Sequence, residues 1–306
     1  MHDWPPVRPI NRRIPDAHIP LTPVIPTHDS MPELPEVEVI RQSLHKQVWG
    51  ARIGSIQVNR ADIVRAGFST VSWYTHTTII GITRRGKCLI FTCQGTHETR
   101  HIVSELGMTG LWFFQQNLAT SPQHLHVHLT LSDSPVQDLY YWNPRRFGRI
   151  WLLDDQELER FILRRFGPEI LDLDESTFIA LIKACRGRLK PWLLDQHRVA
   201  GIGNIYANEI LFRAGIHPHA RGDRLHRTTC RRLFQAMGQT VREAITAGGS
   251  SIRDFRTPDG SQGHFQKAHL VYQKEHHPCP HGCQASIKRI PGDRSSFFCP
   301  ACQKKR

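Results

Sequence analysis

Four cysteines near the C-terminus constrain this chain more tightly than any other feature. They run Cys279-x3-Cys283, then fifteen residues, then Cys299-x2-Cys302. Two close pairs of thiolates suit zinc, which asks for four soft ligands in a tetrahedron and accepts a pair from each of two tight turns. Free buried thiols are the alternative. The segment around them, with the arms "HHPCPHGC" and "SFFCPAC", reads as a zinc ribbon or β-hairpin finger. It is too short to bury a large core, so metal ligation would supply much of its folding energy. The remaining cysteines, Cys88, Cys93, Cys185 and Cys230, are scattered. With no secretory-type apolar segment near the start, a metal site is expected in preference to a disulfide framework.

Charge points to the partner. The chain carries a formal net charge of +13, which suits a polyanion such as nucleic acid. Residues 267–306 contribute eight Lys/Arg against Glu275 and Asp293, so the cysteine module is itself cationic. Ribosomal proteins use similar ribbons, and the charge alone does not choose between them. No apolar run approaches the roughly 18 residues of a membrane span, so no membrane partner is expected. Residues 1–30 hold seven prolines and a balanced set of charges, Arg8, Arg12 and Arg13 against Asp3, Asp16 and Asp29. Prolines at that density remove backbone donors and fix φ, and a disordered extension is expected. The sequence "SMPELPEVE" that follows reads as though a protein began at Met31.

The rest of the chain divides by pattern. "PEVEVIRQSLHKQV" suits a helix from Pro35 to about Val48, acidic first and basic last as the macrodipole prefers. Short β-rich runs follow, "RIGSIQVNR", "TTIIGITRRGKCLIFTC", "HIVSELGMTGLWFF", "HVHLTL" and "LYYWNPRRFGRIWLL". They predict a sandwich or barrel up to about residue 155. Segments 157–166, 176–186, 190–196, 204–214 and 224–247 read as helices separated by Gly or Pro. "GGSSIRDFRTPDGSQGHF" reads as a long loop before the cysteine module. In "LLDQHRVAGIGNIYANEILFRAGIHP" the turn Gly201-Ile202-Gly203 precedes Asn204, a favoured N-cap. Amides exposed at such a helix start bind phosphate, and Arg186, Arg188, Lys190 and Arg198 lie nearby; a plain tight turn is the alternative.

"MPELPEVE", "RRGK", "LGMTG", "NPRRFG", "GIGNIYANEILFRAGIHP", "GGSSIRDF" and the four terminal cysteines, in that order, resemble the bacterial formamidopyrimidine-DNA glycosylases over essentially all of residues 31–306. The resemblance implies an α+β multidomain fold. It would comprise the disordered extension at 1–30, a catalytic β-sandwich domain with flanking helices at 31–155, a helix–two-turn–helix DNA-binding domain at 156–263 and a zinc finger at 264–306. It implies a bifunctional DNA glycosylase and abasic-site lyase acting on double-stranded DNA with oxidised purines, monomeric and cytoplasmic.

The family's nucleophile is a proline exposed by loss of the initiator methionine, which assigns Pro32. A secondary amine attacks carbonyl-like carbons to form a Schiff base. Glu33 beside it is placed to manage protons. Lys87 matches the family's catalytic lysine, though read alone it is an exposed turn lysine. Arg294 matches the finger arginine linked to δ-elimination and phosphate contact. Met108, Arg145 and Phe147 match residues that fill the space of a flipped nucleotide, although Met108 and Phe147 read alone would be core. His124, Arg145, Arg186, Lys190 and Asn204 match DNA-binding positions, and the loop from Ser250 to about Gly263 matches the region that closes over an oxidised purine. Zinc would be held by Cys279, Cys283, Cys299 and Cys302.

Three departures stand out. Glu105 replaces a usual histidine and brings an anion toward the DNA groove. Asn143 replaces a common aspartate. The first cysteine pair has x3 spacing where x2 is usual, which displaces Cys283. Two further readings compete: a non-catalytic damaged-DNA binding protein if residues 1–30 stay attached, and an enzyme for oxidised pyrimidines like the related endonuclease VIII group.

Overall fold

The computed structural model describes residues 31–119, 121–252 and 254–305. The disordered extension expected at residues 1–30 lies outside the described residues. The first helix, α1 (Leu34–Val48), begins with Pro35 in its first turn and ends with His45 and Lys46 in its last. Glu36 closes its start by accepting the Glu33 N–H at 2.9 Å. Its apolar stripe of Leu34, Val37, Ile40, Leu44 and Val48 is wholly buried, spaced three and four residues apart as one helix face requires. The stripe is divided between two cores. Leu34 packs with the helical half of the molecule and the other four with the sheet. The Pro32–Glu33 segment therefore sits where the two halves meet.

Nine strands follow: β1 (Arg52–Val58), β2 (Val64–Ala66), β3 (Thr78–Arg85), β4 (Cys88–Gln94), β5 (Thr99–Glu105), β6 (Leu111–Phe113), β7 (Leu125–Ser132), β8 (Asp138–Trp142) and β9 (Arg149–Asp154). They hydrogen-bond as one sheet in the order β2-β9-β5-β4-β3-β1-β7-β8-β6. The expected sandwich arises because this sheet folds over on itself. Trp112, on edge strand β6, donates from Nε1 to Ser104 Oγ of β5 at 3.0 Å and packs on Phe91 of β4 with ring centroids 5.3 Å apart. Register shifts in the β1–β7, β3–β4 and β7–β8 ladders supply the bends, because an extra residue on one strand turns it. The short edge strand β2, paired parallel to β9, lacks the alternation that would have revealed it in the sequence.

The second half is helical: α2 (Asp155–Arg165), α3 (Glu175–Lys183), α4 (Leu189–Leu194), α5 (Asn204–Arg213) and α6 (Arg227–Thr246). All five expected helices are present, with ends shifted by at most three residues. Asp154 caps α2 and Asp174 caps α3, each accepting a backbone N–H from three residues on. Helices α4 and α5 are joined by the two turns of residues 195–203. A short antiparallel hairpin, β10 (Lys288–Ile290) and β11 (Ser296–Phe298), closes the chain. Phe265, Val271, Tyr272, Ile287, Phe297 and Cys299 share one apolar core with α3 to α6, so the hairpin is seated on the helices. No helix among the described residues is long and apolar enough to cross a membrane.

Candidate active site and nucleic-acid interface

The centre of the site is Glu33. It is buried, and its carboxylate accepts the N–H groups of Gly203 at 2.7 Å, Ile205 at 2.8 Å and Tyr206 at 3.3 Å. The start of α5 thus receives its anion from the protein itself. This corrects two readings of the glycine turn. Gly203, not Asn204, is the N-cap, and these three amides are already occupied and closed to a DNA phosphate. Half-buried Asn204 is the first residue of the helix. The glycines are required by close approach. A Cβ at Gly203 would lie 2.3 Å from Glu33 Cδ, and one at Gly201, where φ is +107°, would lie 2.4 Å from Leu34 Cδ1. Leu34 N–H also bonds Gly201 O at 3.0 Å. The turn holds the Pro32–Glu33 segment in place.

Burial raises the Glu33 carboxyl above its ordinary range, against the opposing pull of the Lys87 ammonium and the three amides. Lys87 is lowered by burial and by the Arg294 guanidinium, while Glu33, Glu36 and Glu105 pull it back up. Glu33, Lys87 and Arg294, drawn from three distant stretches of sequence, therefore occupy one electrostatic neighbourhood, and Pro32 directly precedes Glu33. Pro32 is buried, Lys87 half-buried and Arg294 exposed at the tip of the terminal hairpin. Within this chain the Pro32 nitrogen is a tertiary amide to Met31.

Two networks the sequence reading missed hold this arrangement. Arg84 meets Glu38 at 3.1 Å and Glu169 at 2.6 Å, and Glu169 accepts the Gly86 N–H at 2.7 Å. The turn that carries Lys87 is thereby tied to the helical half. Glu36 accepts from Tyr206 OH at 2.5 Å and from Ser250 N–H at 2.7 Å, and Ser250 Oγ contacts His269 Nε2 at 3.0 Å. Burial and the neighbouring Glu33 push Glu36 up to about 7. The loop after α6 is thus anchored at its start, and its Phe255 enters the sheet core. Their partners lie far apart in the chain, so no local pattern names them.

Lys190 requires a further correction. It is 3% exposed, and its Nζ donates to Arg294 O at 3.2 Å, Ser295 O at 2.7 Å and Ser296 Oγ at 2.9 Å. An ammonium has three donors, so none is left for DNA. Lys190 positions the loop that carries Arg294. Burial lowers it to about 7. Arg186 is exposed and His124 half-buried.

The turns 106–110 and 143–148 lie backbone to backbone, because Gly107 and Gly148 leave no side chain between them. A Cβ on Gly107 would meet Gly148 N at 2.5 Å. Buried Asn143 locks the pair: its Oδ1 accepts from Thr109 Oγ1 at 3.3 Å and its backbone oxygen lies 2.9 Å from His126 Nε2. The arrangement sets the turn of Met108 against the turn that carries Arg145 and Phe147, and Arg145 N–H donates to Thr109 Oγ1 at 3.3 Å. The Arg145 guanidinium stacks on Phe147 at 5.2 Å. Met108 is buried at 6% exposure, yet neither it nor Phe147 belongs to any of the three apolar cores. Beside them an open cleft of about 260 Å³ is lined by Asp62, Ile63, Arg65, Arg145, Arg146, Phe147 and Arg149. Glu105, expected to bring an anion toward the DNA groove, is paired with Arg165 at 2.9 Å.

The four cysteine sulfurs lie within 4.8 Å of one another. Cys279 and Cys302 are 3.7 Å apart, Cys283 and Cys299 3.3 Å, and Cys302 and Cys283 3.5 Å. A tetrahedron with metal–sulfur bonds of ~2.3 Å has edges of ~3.8 Å, so the set fits one metal ion. The x3 spacing is absorbed by Gly282, whose φ of +68° brings Cys283 back to the cluster.

Comparison with known proteins agrees with this geometry. The family model of the formamidopyrimidine-DNA glycosylase N-terminal domain matches residues 31–150, and that of the formamidopyrimidine-DNA glycosylase H2TH domain matches residues 166–256. The formamidopyrimidine-DNA glycosylase of Solibacter usitatus is 39% identical over 280 residues, 90% of this chain and 100% of that one. A Lactococcus lactis mutant enzyme in complex with Fapy-dG-containing DNA superposes with a TM-score of 0.80 at 34% identity, covering 90% of this chain and 100% of its own. The wild-type Lactococcus lactis protein with DNA containing an oxidised pyrimidine superposes at 0.79 and 35%, with the same coverage. With both domains matched in order and the Pro32–Glu33 segment seated against its glycine turn, the chain belongs to the formamidopyrimidine-DNA glycosylase family of DNA glycosylases.

Proposed function

We propose that a form of this chain beginning at Pro32 excises oxidised purines (8-oxoguanine and formamidopyrimidines) from double-stranded DNA and then cleaves the strand. The observation that supports the reading is that Glu33, the residue after buried Pro32, shares one electrostatic neighbourhood with Lys87 and Arg294. The free Pro32 amine attacks C1′ and the glycosidic bond breaks. The base leaves with a proton that Glu33 is placed to relay; the C1′–O4′ bond then opens, O4′ takes up a proton, and C1′ becomes an iminium. The iminium acidifies C2′; loss of that proton expels the 3′-phosphate, and a second elimination expels the 5′-phosphate. Lys87 assists the first proton transfer, and Arg294 neutralises phosphate during the second. Met108, Arg145 and Phe147 fill the space left by the extruded nucleotide, offsetting part of an unstacking cost of a few kcal/mol. His124, Arg186 and Asn204 contact the DNA backbone. Oxidised pyrimidines are the competing lesion class, favoured by the Lactococcus lactis complex with such DNA.

The test is incision of duplexes carrying 8-oxoguanine or an oxidised pyrimidine by protein beginning at Pro32. The expected result is faster cutting of the purine lesion, with phosphate at both ends of a one-nucleotide gap. Met108→Ala and Phe147→Ala should lower activity on the paired lesion more than on a single-stranded abasic site. Equal loss on both substrates, with a melting temperature many degrees lower, would return these residues to a packing role.

The four cysteines fit zinc, which would staple the hairpin that presents Arg294 and stand apart from the chemistry itself. Metal analysis should find one zinc per chain. Chelation should expose the four thiols to alkylation and lower the melting temperature, because Cys279 and Cys299 belong to the helical core. Rapid alkylation of all four thiols in the untreated protein would contradict this.

A further inference from the structure

The Glu105–Arg165 pair does more than cancel two charges. Arg165 ends α2, where a cation is favoured by the helix dipole. Its guanidinium lies 5.0 Å from the Trp151 ring centre and 4.9 Å from that of Phe161, and those rings are themselves 4.9 Å apart. Its Nη2 donates to Glu105 Oε2 at 2.9 Å. Two aromatic rings and one carboxylate thus fix the direction of a side chain that is still 38% exposed. A guanidinium has five N–H donors in a rigid fork, and Glu105 takes only one of them.

The location matters as much as the geometry. The residue after Arg165, Phe166, packs against the turn that carries Lys87: a Cβ on Gly86 would lie 2.7 Å from its ring. Arg85 of the same turn donates to Gly167 O at 2.5 Å. Glu105 sits directly across the β4–β5 ladder from Cys88, the neighbour of Lys87. The fixed guanidinium therefore borders the catalytic turn on the side of α2.

We propose that Arg165, aimed by Glu105 and by the Trp151 and Phe161 rings, is a phosphate contact for the DNA backbone beside Lys87, and that Glu105 is its positioning residue. The anion that departs from the family pattern thereby serves DNA binding. The proposal rests on the reading of this chain as a DNA-binding glycosylase, and the two fail separately.

The experiment measures binding of the full chain to a duplex containing a tetrahydrofuran abasic analogue, from ~50 to ~200 mM salt. Wild type failing to bind would sink the functional reading itself. If wild type binds, Arg165→Gln should weaken binding about tenfold and reduce the salt slope by about one, as loss of one phosphate contact requires. Arg165→Lys should keep the slope and lose part of the affinity, because lysine retains charge without the stacked fork. Glu105→Gln decides by sign. A merely repelling anion, once removed, would let DNA bind more tightly, whereas loss of a positioning partner weakens binding. An unchanged slope for Arg165→Gln, or tighter binding by Glu105→Gln, overturns the proposal. Should Arg165→Gln melt early, Arg165→Lys and Glu105→Gln decide the matter, and wild-type affinity in the former with tighter binding in the latter rejects it.

Discussion

Protein synthesised from Met31 and trimmed to Pro32 is expected to be trapped covalently by borohydride on DNA carrying 8-oxoguanine or an abasic site. The same protein retaining residues 1–30 is expected to form no adduct at Pro32. The reason is the nitrogen. As a chain terminus Pro32 is a secondary amine, titrating near ~8 and partly neutral at physiological pH; behind Met31 it is an amide with no available lone pair. Both forms should still bind DNA with the same salt dependence, because residues 1–30 carry no net charge by their Asp, Lys and Arg count and counterion release does not involve the amine. Pro32→Gly is a weaker probe, since it leaves a primary amine. Peptide mapping is the arbiter. If the long form cross-links as efficiently as the short one, through a lysine, Pro32 is not the nucleophile.

The second large effect is expected at Gly203. In Gly203→Ala the new methyl would lie 2.3 Å from Glu33 Cδ, so the carboxylate must leave the α5 terminus. Three buried amides would lose their acceptor, at about 1–3 kcal/mol for each donor left unpaired. Activity should fall on the order of 10²–10⁴-fold, the usual contribution of a placed acid or base. Glu33→Gln should show the catalytic loss with a smaller change in melting temperature, since its shape still fills the site. Gly187→Ala is the control, because a Cβ there meets nothing within 4 Å. Wild-type activity in Gly203→Ala would mean that the Glu33–α5 contact does not organise catalysis.

Much of the architecture could be read along the chain, because the signals were local. The apolar stripe and charge order of α1 are set by residues within a turn or two of each other. The cysteine quartet likewise carries its meaning in its spacing, and Gly282 resolves the one irregular interval.

What lay beyond the sequence was always a matter of which distant group arrives first. The N–H groups at the start of α5 looked available to phosphate, and folding delivers Glu33 to them from about 170 positions away in the chain. Lys190 looked like a surface cation, and the terminal hairpin covers it with two carbonyls and a hydroxyl. Glu105 read as an anion brought toward the DNA groove, and α2 sets Arg165 beside it. By itself the sequence determined the family, most of the element types and the cysteine cluster, because each is written in short-range pattern. Only the tertiary structure decided which charges remain exposed and which are already satisfied within the protein, because pairing in a low-dielectric interior depends on distance in space.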